Sequence, residues 1–235
     1  MKLVLFDIDG TIMAGGGAGK RAVTRALVEV FGTSGPTDHR FDGKTDPQIV
    51  RELMRLEGHG DPHIDERMPR LLERYLEYLH DELQRPPHAR LLPGIRELLD
   101  ALEPRSDVVL GLLTGNLAAG ARAKLAAVGL NPDRFRVGAY GSDHEVRGEL
   151  PTVAQRRARD ELGLDVPGRD VVVIGDTPND LECGRRIGAR AIGVATGHYT
   201  VDQLLAHAPA AVFPDLSDTA AVVNAIIAAS APASP

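Results

Sequence analysis

Five short apolar segments recur along the chain, and each one ends at a polar or glycine-containing turn. They are residues 2–6, 108–113, 171–174, 191–194 and 211–213. Polar residues do not alternate with apolar ones inside these segments, as expected for strands that are buried on both faces of a parallel sheet. The pattern therefore predicts five strands of one parallel sheet.

Between these segments, apolar residues recur at helical spacing, and glycine stands where several of the helices are expected to end. The predicted helices span residues 94–102, 117–128, 150–162 and 180–187. Gly129, Gly163 and Gly188 follow three of them, which is the usual place for a helix C-cap. Alternating strands and helices predict an α/β fold with a doubly wound parallel sheet.

Residues 14–88 interrupt this alternation, because they contain helical patterns at 19–31, 46–57 and 65–83 but no convincing strand. Asp46 and Pro47 are expected at the N-cap and first position of the second helix. We predict a helical cap domain at residues 14–87, inserted into a core domain of residues 1–13 and 88–235. The C-terminal tail, rich in Ala, Pro and Ser, is expected to be disordered.

Composition narrows the range of partners. The formal net charge of -6 leaves no basic surplus to neutralise phosphates, so a nucleic-acid partner is not expected. The single cysteine, Cys183, has no partner for an internal disulfide and fits a reducing compartment. No stretch approaches the roughly 20 apolar residues of a membrane span, and the first apolar run is too short for a signal peptide. A cytoplasmic location is therefore expected.

The first chemical motif, Asp7-Ile8-Asp9-Gly10-Thr11, directly follows the first strand. Ligands of open parallel sheets collect at the carboxyl ends of the strands. Two carboxylates two residues apart can reach the same ligand with different tasks, one as a nucleophile and one as a general acid and base. Gly10 lets the backbone turn tightly. The alternative interpretation is an acidic turn without catalytic function.

A second motif, Thr114-Gly115-Asn116, ends another strand. A hydroxyl followed by a glycine with an unobstructed N–H can clamp phosphate oxygens. The alternative is an ordinary strand-to-helix turn that is capped by Thr or Asn.

A third motif, residues 174–180, places Asp176 at a strand end and Asp180 one helical turn further on the same side. Together with Asp7, Asp176 supplies the hard oxygen ligands that Mg²⁺ prefers. A metal ion would offset the repulsion between these acids and a phosphate. A plain helix start explains the same residues equally well when the motif is taken alone.

In this order and on these strands, the three motifs resemble those of the haloacid dehalogenase-like hydrolase superfamily, on its phosphatase side. The resemblance covers nearly the whole chain, and Leu92-Pro93-Gly94 together with the position of the insert is most similar to phosphoglycolate phosphatase-like members. It implies a Rossmann-like core with a helical cap of the C1 type after the first motif, where the helical patterns independently place the insert.

The resemblance also implies roles for single residues. Asp7 would attack phosphorus and form an aspartyl-phosphate, and Asp9 would protonate the leaving alcohol and then activate water. Mg²⁺ would be held by Asp7, the backbone carbonyl of Asp9 and Asp176. Asp180 would support these ligands without binding the metal itself. True dehalogenases of the family lack an acid at position 9, so phosphate chemistry is expected. The implied phosphate-binding residues are Gly10, Thr11, Thr114, Gly115 and Asn116.

The chain departs from the family at its third motif, which is a lysine between the second and fourth motifs. Lys124 lies in the helix after Thr114, which is too early for that motif. Arg147, just before a later helix, is the candidate: it keeps the positive charge and can bridge phosphate to Asp7 or Asp180, although Arg and Lys differ in shape. The alternative is a surface ion pair with Glu145 or Glu149.

Two lysine-containing loops of the insert remain. Residues 15–20 are glycine-rich but lack the first glycine and the Ser or Thr of a phosphate-binding loop, so we interpret them as a hinge. Lys44, just before a helix, is expected to reach the non-phosphate end of a substrate, with a plain surface lysine as the alternative. The eight histidines show no metal-binding spacing.

The leading hypothesis from the sequence is Mg²⁺-dependent hydrolysis of a small phosphate monoester, with a small phosphorylated metabolite as the only partner. Two alternatives stay open: a phosphomutase of the β-phosphoglucomutase kind, and a binding protein that kept the fold without turnover. The sequence identifies neither the substrate nor whether the protein is a monomer or a homodimer.

Overall fold

The computed structural model describes residues 1–228 of the 235-residue chain. Its main sheet has six parallel strands in the order β5-β4-β1-β6-β7-β8, and a second sheet contains the short antiparallel pair β2-β3. The strands are β1 (Lys2–Phe6), β2 (Met13–Ala14), β3 (Arg90–Leu91), β4 (Val108–Thr114), β5 (Val137–Tyr140), β6 (Val171–Gly175), β7 (Arg190–Val194) and β8 (Ala211–Phe213).

Nine α-helices occur within the described residues. They are α1 (Ala18–Phe31), α2 (Asp46–Leu56), α3 (Asp61–Leu83), α4 (Ile95–Leu102), α5 (Ala118–Ala127), α6 (Leu150–Leu162), α7 (Pro178–Cys183), α8 (Val201–Leu205) and α9 (Thr219–Ile227). In the part of the chain covered by residues 1–228, no helix is both long enough and apolar enough to cross a membrane.

The central strand β1 lies between β4 and β6, and this register brings the chemical motifs to one edge. Phe6 is aligned with Leu112 on β4 and with Ile174 on β6. The residues that follow these positions therefore leave the sheet side by side. The chain runs outwards through β4 and β5 and then returns to β6 on the other side of β1, which makes β1 the point where the strand order reverses.

Both faces of the sheet are covered, which explains why the strands lack polar alternation. Val4 and Phe6 belong to one apolar cluster, which also includes residues of α4 and α9. Leu3 and Leu5 point to the opposite face and join a second cluster with residues of α6. The prediction of a doubly wound α/β sheet is confirmed.

The helices α1, α2 and α3 pack together in one apolar cluster, which Leu117 before α5 also joins, with fully or almost fully buried residues such as Leu27, Leu53 and Tyr75. The pair β2-β3 aligns Ala14 with Arg90, so the two ends of the inserted segment lie together. We propose on this basis that residues 14–87 are the cap, and that residues 1–13 and 88–235 form the core.

The structure corrects several details of the sequence-based prediction. Thr45, not Asp46, caps α2, because the Thr45 side chain accepts a hydrogen bond from the Gln48 N–H, and Asp46 is the first helical residue. The predicted helix at 180–187 is split into α7 and a 3₁₀ turn (Arg185–Ile187). The strands β2, β3 and β5 and the helices α8 and α9 were not predicted. The C-terminal tail lies outside the described residues.

Candidate active site

Three buried carboxylates meet at the carboxyl edge of the central strands. Asp7 follows β1, Asp176 follows β6, and Asp180 lies in the first turn of α7. The three residues are 6% (Asp7), 4% (Asp176) and 0% (Asp180) exposed, and one carboxylate oxygen from each lies within 4.8 Å of the others. Three acidic oxygens that converge in this way can hold a metal ion.

The turns around Asp176 are shaped by glycines that leave room for its carboxylate. Gly10 has a positive φ of 86°, and a Cβ at that position would lie 2.2 Å from Asp176 Oδ2. A Cβ on Gly197 would lie 1.8 Å from the same oxygen. The hydroxyl of Thr11 donates to Asp176 Oδ1 at 3.2 Å. Any side chain at these two glycines would therefore displace the Asp176 carboxylate.

Arg147 is the basic residue that contacts this acidic cluster. Its Nη2 donates to Asp7 Oδ1 at 2.8 Å and to the Leu113 carbonyl at 3.3 Å, and it also contacts Asp180. Arg147 is 6% exposed, so it is not the surface residue of the alternative interpretation. The two acids considered as its surface partners are paired elsewhere, Glu145 with Arg51 and Glu149 with Arg186.

One guanidinium does not balance three carboxylates, and the ionisation of two of them is affected. Burial raises the pKa of Asp7 to about 7, although Arg147 opposes this rise. The pKa of Asp176 is raised well above its usual range by burial and then by the neighbouring acids Asp180 and Asp7. A hard cation among these oxygens would favour the ionised forms, so the residues present fit a divalent metal ion.

Asp180 fixes the turn between β6 and α7. Its Oδ2 accepts hydrogen bonds from the Thr177 N–H at 3.0 Å and from the Thr177 hydroxyl at 2.6 Å. This reciprocal capping box begins α7 and holds Asp176 at the edge of the sheet.

The predicted phosphate-binding residues of the second motif lie beside Asp9. The Asn116 amide donates to Thr114 Oγ1 at 2.7 Å and to Asp9 Oδ2 at 2.8 Å. A Cβ on Gly115 would lie 2.0 Å from the Lys44 carbonyl oxygen, so glycine is needed where the inserted segment crosses this turn.

Asp9 does not join the carboxylate cluster through its side chain, which is 45% exposed. Its Oδ2 instead accepts a hydrogen bond from the Lys124 ammonium at 2.6 Å. Lys124 was not predicted as a site residue. Helical spacing could have indicated that Lys124 is buried, because it lies seven residues after Leu117 and three after Ala121, on the buried face of α5.

A cavity of about 720 Å³ lies between the helical insert and this edge of the sheet. Asp7, Asp9 and Thr114 line one side of it, and Phe41 and Lys44 line the side of the insert. Lys44 does face the cavity, but its ammonium group is already engaged by Glu52 at 2.5 Å and by His39 at 3.2 Å.

Asp46 ties the insert to the second motif and was not predicted as a site residue. Its N–H donates to the Gly115 carbonyl at 2.8 Å, and its Oδ2 accepts from the Leu117 N–H at 2.9 Å. Burial raises the pKa of Asp46 to about 6, while the charge of Lys124 acts in the opposite direction.

The chain belongs to the haloacid dehalogenase-like hydrolase family, whose sequence pattern it matches over residues 4–185. This confirms the resemblance stated above.

Relatives and solved structures agree with this assignment. The chain is 29% identical to the phosphoglycolate phosphatase of Synechococcus elongatus over 211 residues, which are 89% of this chain and 91% of that protein. It is 28% identical to a 5'-nucleotidase of Pseudomonas aeruginosa over 215 residues, 91% of each chain. The crystal structure of a hydrolase from Pseudomonas syringae has the same fold, with a TM-score of 0.73, 23% identity and coverage of 97% of this chain and 100% of that chain.

We expect Asp46→Asn to reduce the pH dependence of stability. Because the folded pKa of Asp46 lies above its usual value, the folded state binds a proton that the unfolded state releases, and this stabilisation is lost as the pH rises from about 4 to about 6. Urea unfolding should show a fall in the free energy of unfolding between pH 5 and pH 7.5 that is smaller in the variant by on the order of 1 kcal/mol. An equal fall in both proteins would show that Asp46 ionises at its usual pKa.

Proposed function

We propose that the protein is a Mg²⁺-dependent phosphatase that hydrolyses a small phosphate monoester, similar to phosphoglycolate phosphatase, through an aspartyl-phosphate on Asp7. The observation that carries this proposal is the position of Asp7, which is buried at the end of the central strand, within the acidic cluster and in contact with Arg147. The relatives named as phosphatase and nucleotidase support the same reaction class.

In the first step, a carboxylate oxygen of Asp7 attacks phosphorus, and the bond from phosphorus to the alcohol oxygen breaks. Arg147 and the Thr114 hydroxyl, which both line the cavity with Asp7, are placed to bind the equatorial oxygens and stabilise their charge. Asp9 gives its proton to the leaving alcohol. Gly10, Thr11, Gly115 and Asn116 complete the proposed phosphate-binding turns.

In the second step, Asp9 takes a proton from water, and the water oxygen attacks phosphorus. The bond from phosphorus to Asp7 breaks, so the carboxylate is regenerated and inorganic phosphate leaves. The same acid therefore serves both steps, as its place beside the nucleophile on the first motif suggests.

We propose that Mg²⁺ is held by Asp7, Asp176 and the backbone carbonyl of Asp9, with Asp180 supporting Asp176 through the turn that it caps. When bound, the ion supplies charge that offsets the repulsion between the buried acids and the phosphate. The convergence of oxygens from Asp7, Asp176 and Asp180 supports this assignment.

The opposite end of the cavity is proposed to recognise the rest of the substrate. Lys44 lines this end and is the proposed contact; to bind the substrate, its ammonium must leave the Glu52 carboxylate or be shared with it.

We expect Asp7→Asn to abolish phosphate release from every ester in a panel of small phosphate monoesters assayed with Mg²⁺. The amide is nearly isosteric but is not a nucleophile, so the loss should exceed about 10³-fold. A chelator should abolish wild-type release, and added Mg²⁺ should restore it. Stoichiometric formation of free phosphate is the measurement.

Three results would contradict the proposal in different ways. Turnover by Asp7→Asn at a rate near that of wild type would exclude Asp7 as the nucleophile. Interconversion of sugar phosphates without release of phosphate would indicate the mutase. Binding of phosphate esters without turnover would indicate the binding protein.

Arg147 is expected to contribute its positive charge to catalysis. Arg147→Met should lower kcat/KM by about 10²- to 10³-fold, because the phosphate loses a charged donor and Asp7 loses its ion-pair partner. Arg147→Lys should recover part of this loss, since the family carries lysine in its third motif and the charge is kept. Equal losses in the two variants would show that the fork geometry of arginine, and not its charge, is required. Wild-type kinetics in Arg147→Met would exclude the role altogether.

A further inference from the structure

Lys124 is a buried cation that the reaction described above does not use. It lies on α5 and is 4% exposed. Its ammonium donates to Asp9 Oδ2 at 2.6 Å and to Asn116 Oδ1 at 2.5 Å. The Asn116 amide closes the ring by donating to the same Asp9 oxygen at 2.8 Å. Lys124, Asn116 and Asp9 therefore form a closed ring of hydrogen bonds.

This ring makes the two oxygens of the Asp9 carboxylate unequal. Oδ2 accepts from both Lys124 and Asn116, whereas no donor within residues 1–228 reaches Oδ1. Gly15 lies on this side of the carboxylate, where a Cβ would be 3.4 Å from Oδ1, in ordinary van der Waals contact. Because hydrogen bonds to Oδ2 localise negative charge there, Oδ1 is the oxygen left to carry the transferred proton.

The ring itself is fixed from two sides. Asn116 is held to the end of β4 by its donation to Thr114 Oγ1 at 2.7 Å. Lys124 is held by helix α5, and the N–H of Leu117, the N-cap residue of that helix, donates a hydrogen bond to Asp46 Oδ2 of the helical insert. A side chain with 45% exposure, which would otherwise sample several rotamers, is thereby restricted to one orientation.

We infer that Lys124 is a positioning residue that orients Asp9 so that Oδ1 exchanges protons with the leaving alcohol and with the attacking water. This inference rests on the proposed phosphatase function and adds a residue to it. Lys124 itself forms and breaks no covalent bond. In the first step, the proton on Oδ1 passes to the alcohol oxygen. In the second step, a water proton passes to Oδ1 while phosphate leaves Asp7.

The test compares two leaving groups. An aryl phosphate such as p-nitrophenyl phosphate releases a stable phenolate and needs no proton, whereas an alkyl phosphate needs one. In Lys124→Met, kcat/KM for the alkyl ester should fall about 10- to 100-fold, and kcat/KM for the aryl ester should stay within about threefold of wild type. Hydrolysis of the aspartyl-phosphate should also slow, so the aryl substrate should give a burst of phenolate close to one per site.

A double-mutant cycle separates positioning from a structural role. If Lys124 acts through Asp9, Lys124→Met should add little to the loss already caused by Asp9→Asn. Arg122→Met is the matched control, because Arg122 is an exposed residue on the same helix that pairs with Asp133. Its kinetics on both esters should equal those of wild type.

The inference is overturned if Lys124→Met lowers kcat/KM equally for both esters, or if it multiplies the loss in the Asp9→Asn background by the same factor as in wild type. Either result, with Asp9→Asn itself showing the dependence on leaving group, would leave the phosphatase mechanism standing and remove only Lys124. A wild-type protein that releases phosphate from no ester would instead reject the proposed function.

Discussion

The burial of three carboxylates around one arginine is the constraint on which the rest of the site depends. Asp7, Asp176 and Asp180 converge at the edge of the sheet, and Arg147 contacts only the first and the third. Asp176 is left with the neutral hydroxyl of Thr11. Buried charges without partners are costly, and the raised pKa values of Asp7 and Asp176 express that cost. A cation among these oxygens would therefore stabilise the arrangement, and the proposed phosphoryl transfer calls for such a charge.

The two acids of the first motif, Asp7 and Asp9, are each paired with a different basic residue. Asp7 is enclosed and paired with Arg147, whereas Asp9 is half-exposed to the cavity and paired with Lys124. The two acids are two residues apart, yet their surroundings differ in burial and in partner. In the proposed mechanism, this difference lets one carboxylate serve as a nucleophile while the other moves protons. Asp46 connects the helical insert to the same turn that carries Thr114 and Asn116, so the insert and the core contribute to one cavity.

The sequence predicted the parts of the molecule that depend on local pattern. Buried apolar runs identified β1 and β6, and their ends placed Asp7 and Asp176 together, since parallel strands finish at one edge. It missed β5, a four-residue strand that contains Gly138 and has no long apolar run. Lys124 was missed because helical periodicity shows which face is buried but not which acid lies opposite. The N-cap of α2 was predicted at Asp46, one position after the actual cap at Thr45. Both residue types are good N-caps, and only the hydrogen bond from the Gln48 N–H to the Thr45 side chain decides between them.

The effect of the acidic cluster on stability can be tested by measuring the free energy of unfolding at pH 7.5 in the presence and absence of Mg²⁺. The account predicts that Mg²⁺ raises the free energy of unfolding of the wild-type protein, and that Asp176→Asn removes most of this increase. It also predicts that, without metal, the variant is at least as stable as wild type, because a buried carboxylate has been replaced by a neutral amide. Equal stabilisation of both proteins by Mg²⁺, or a metal-free variant much less stable than wild type, would contradict it.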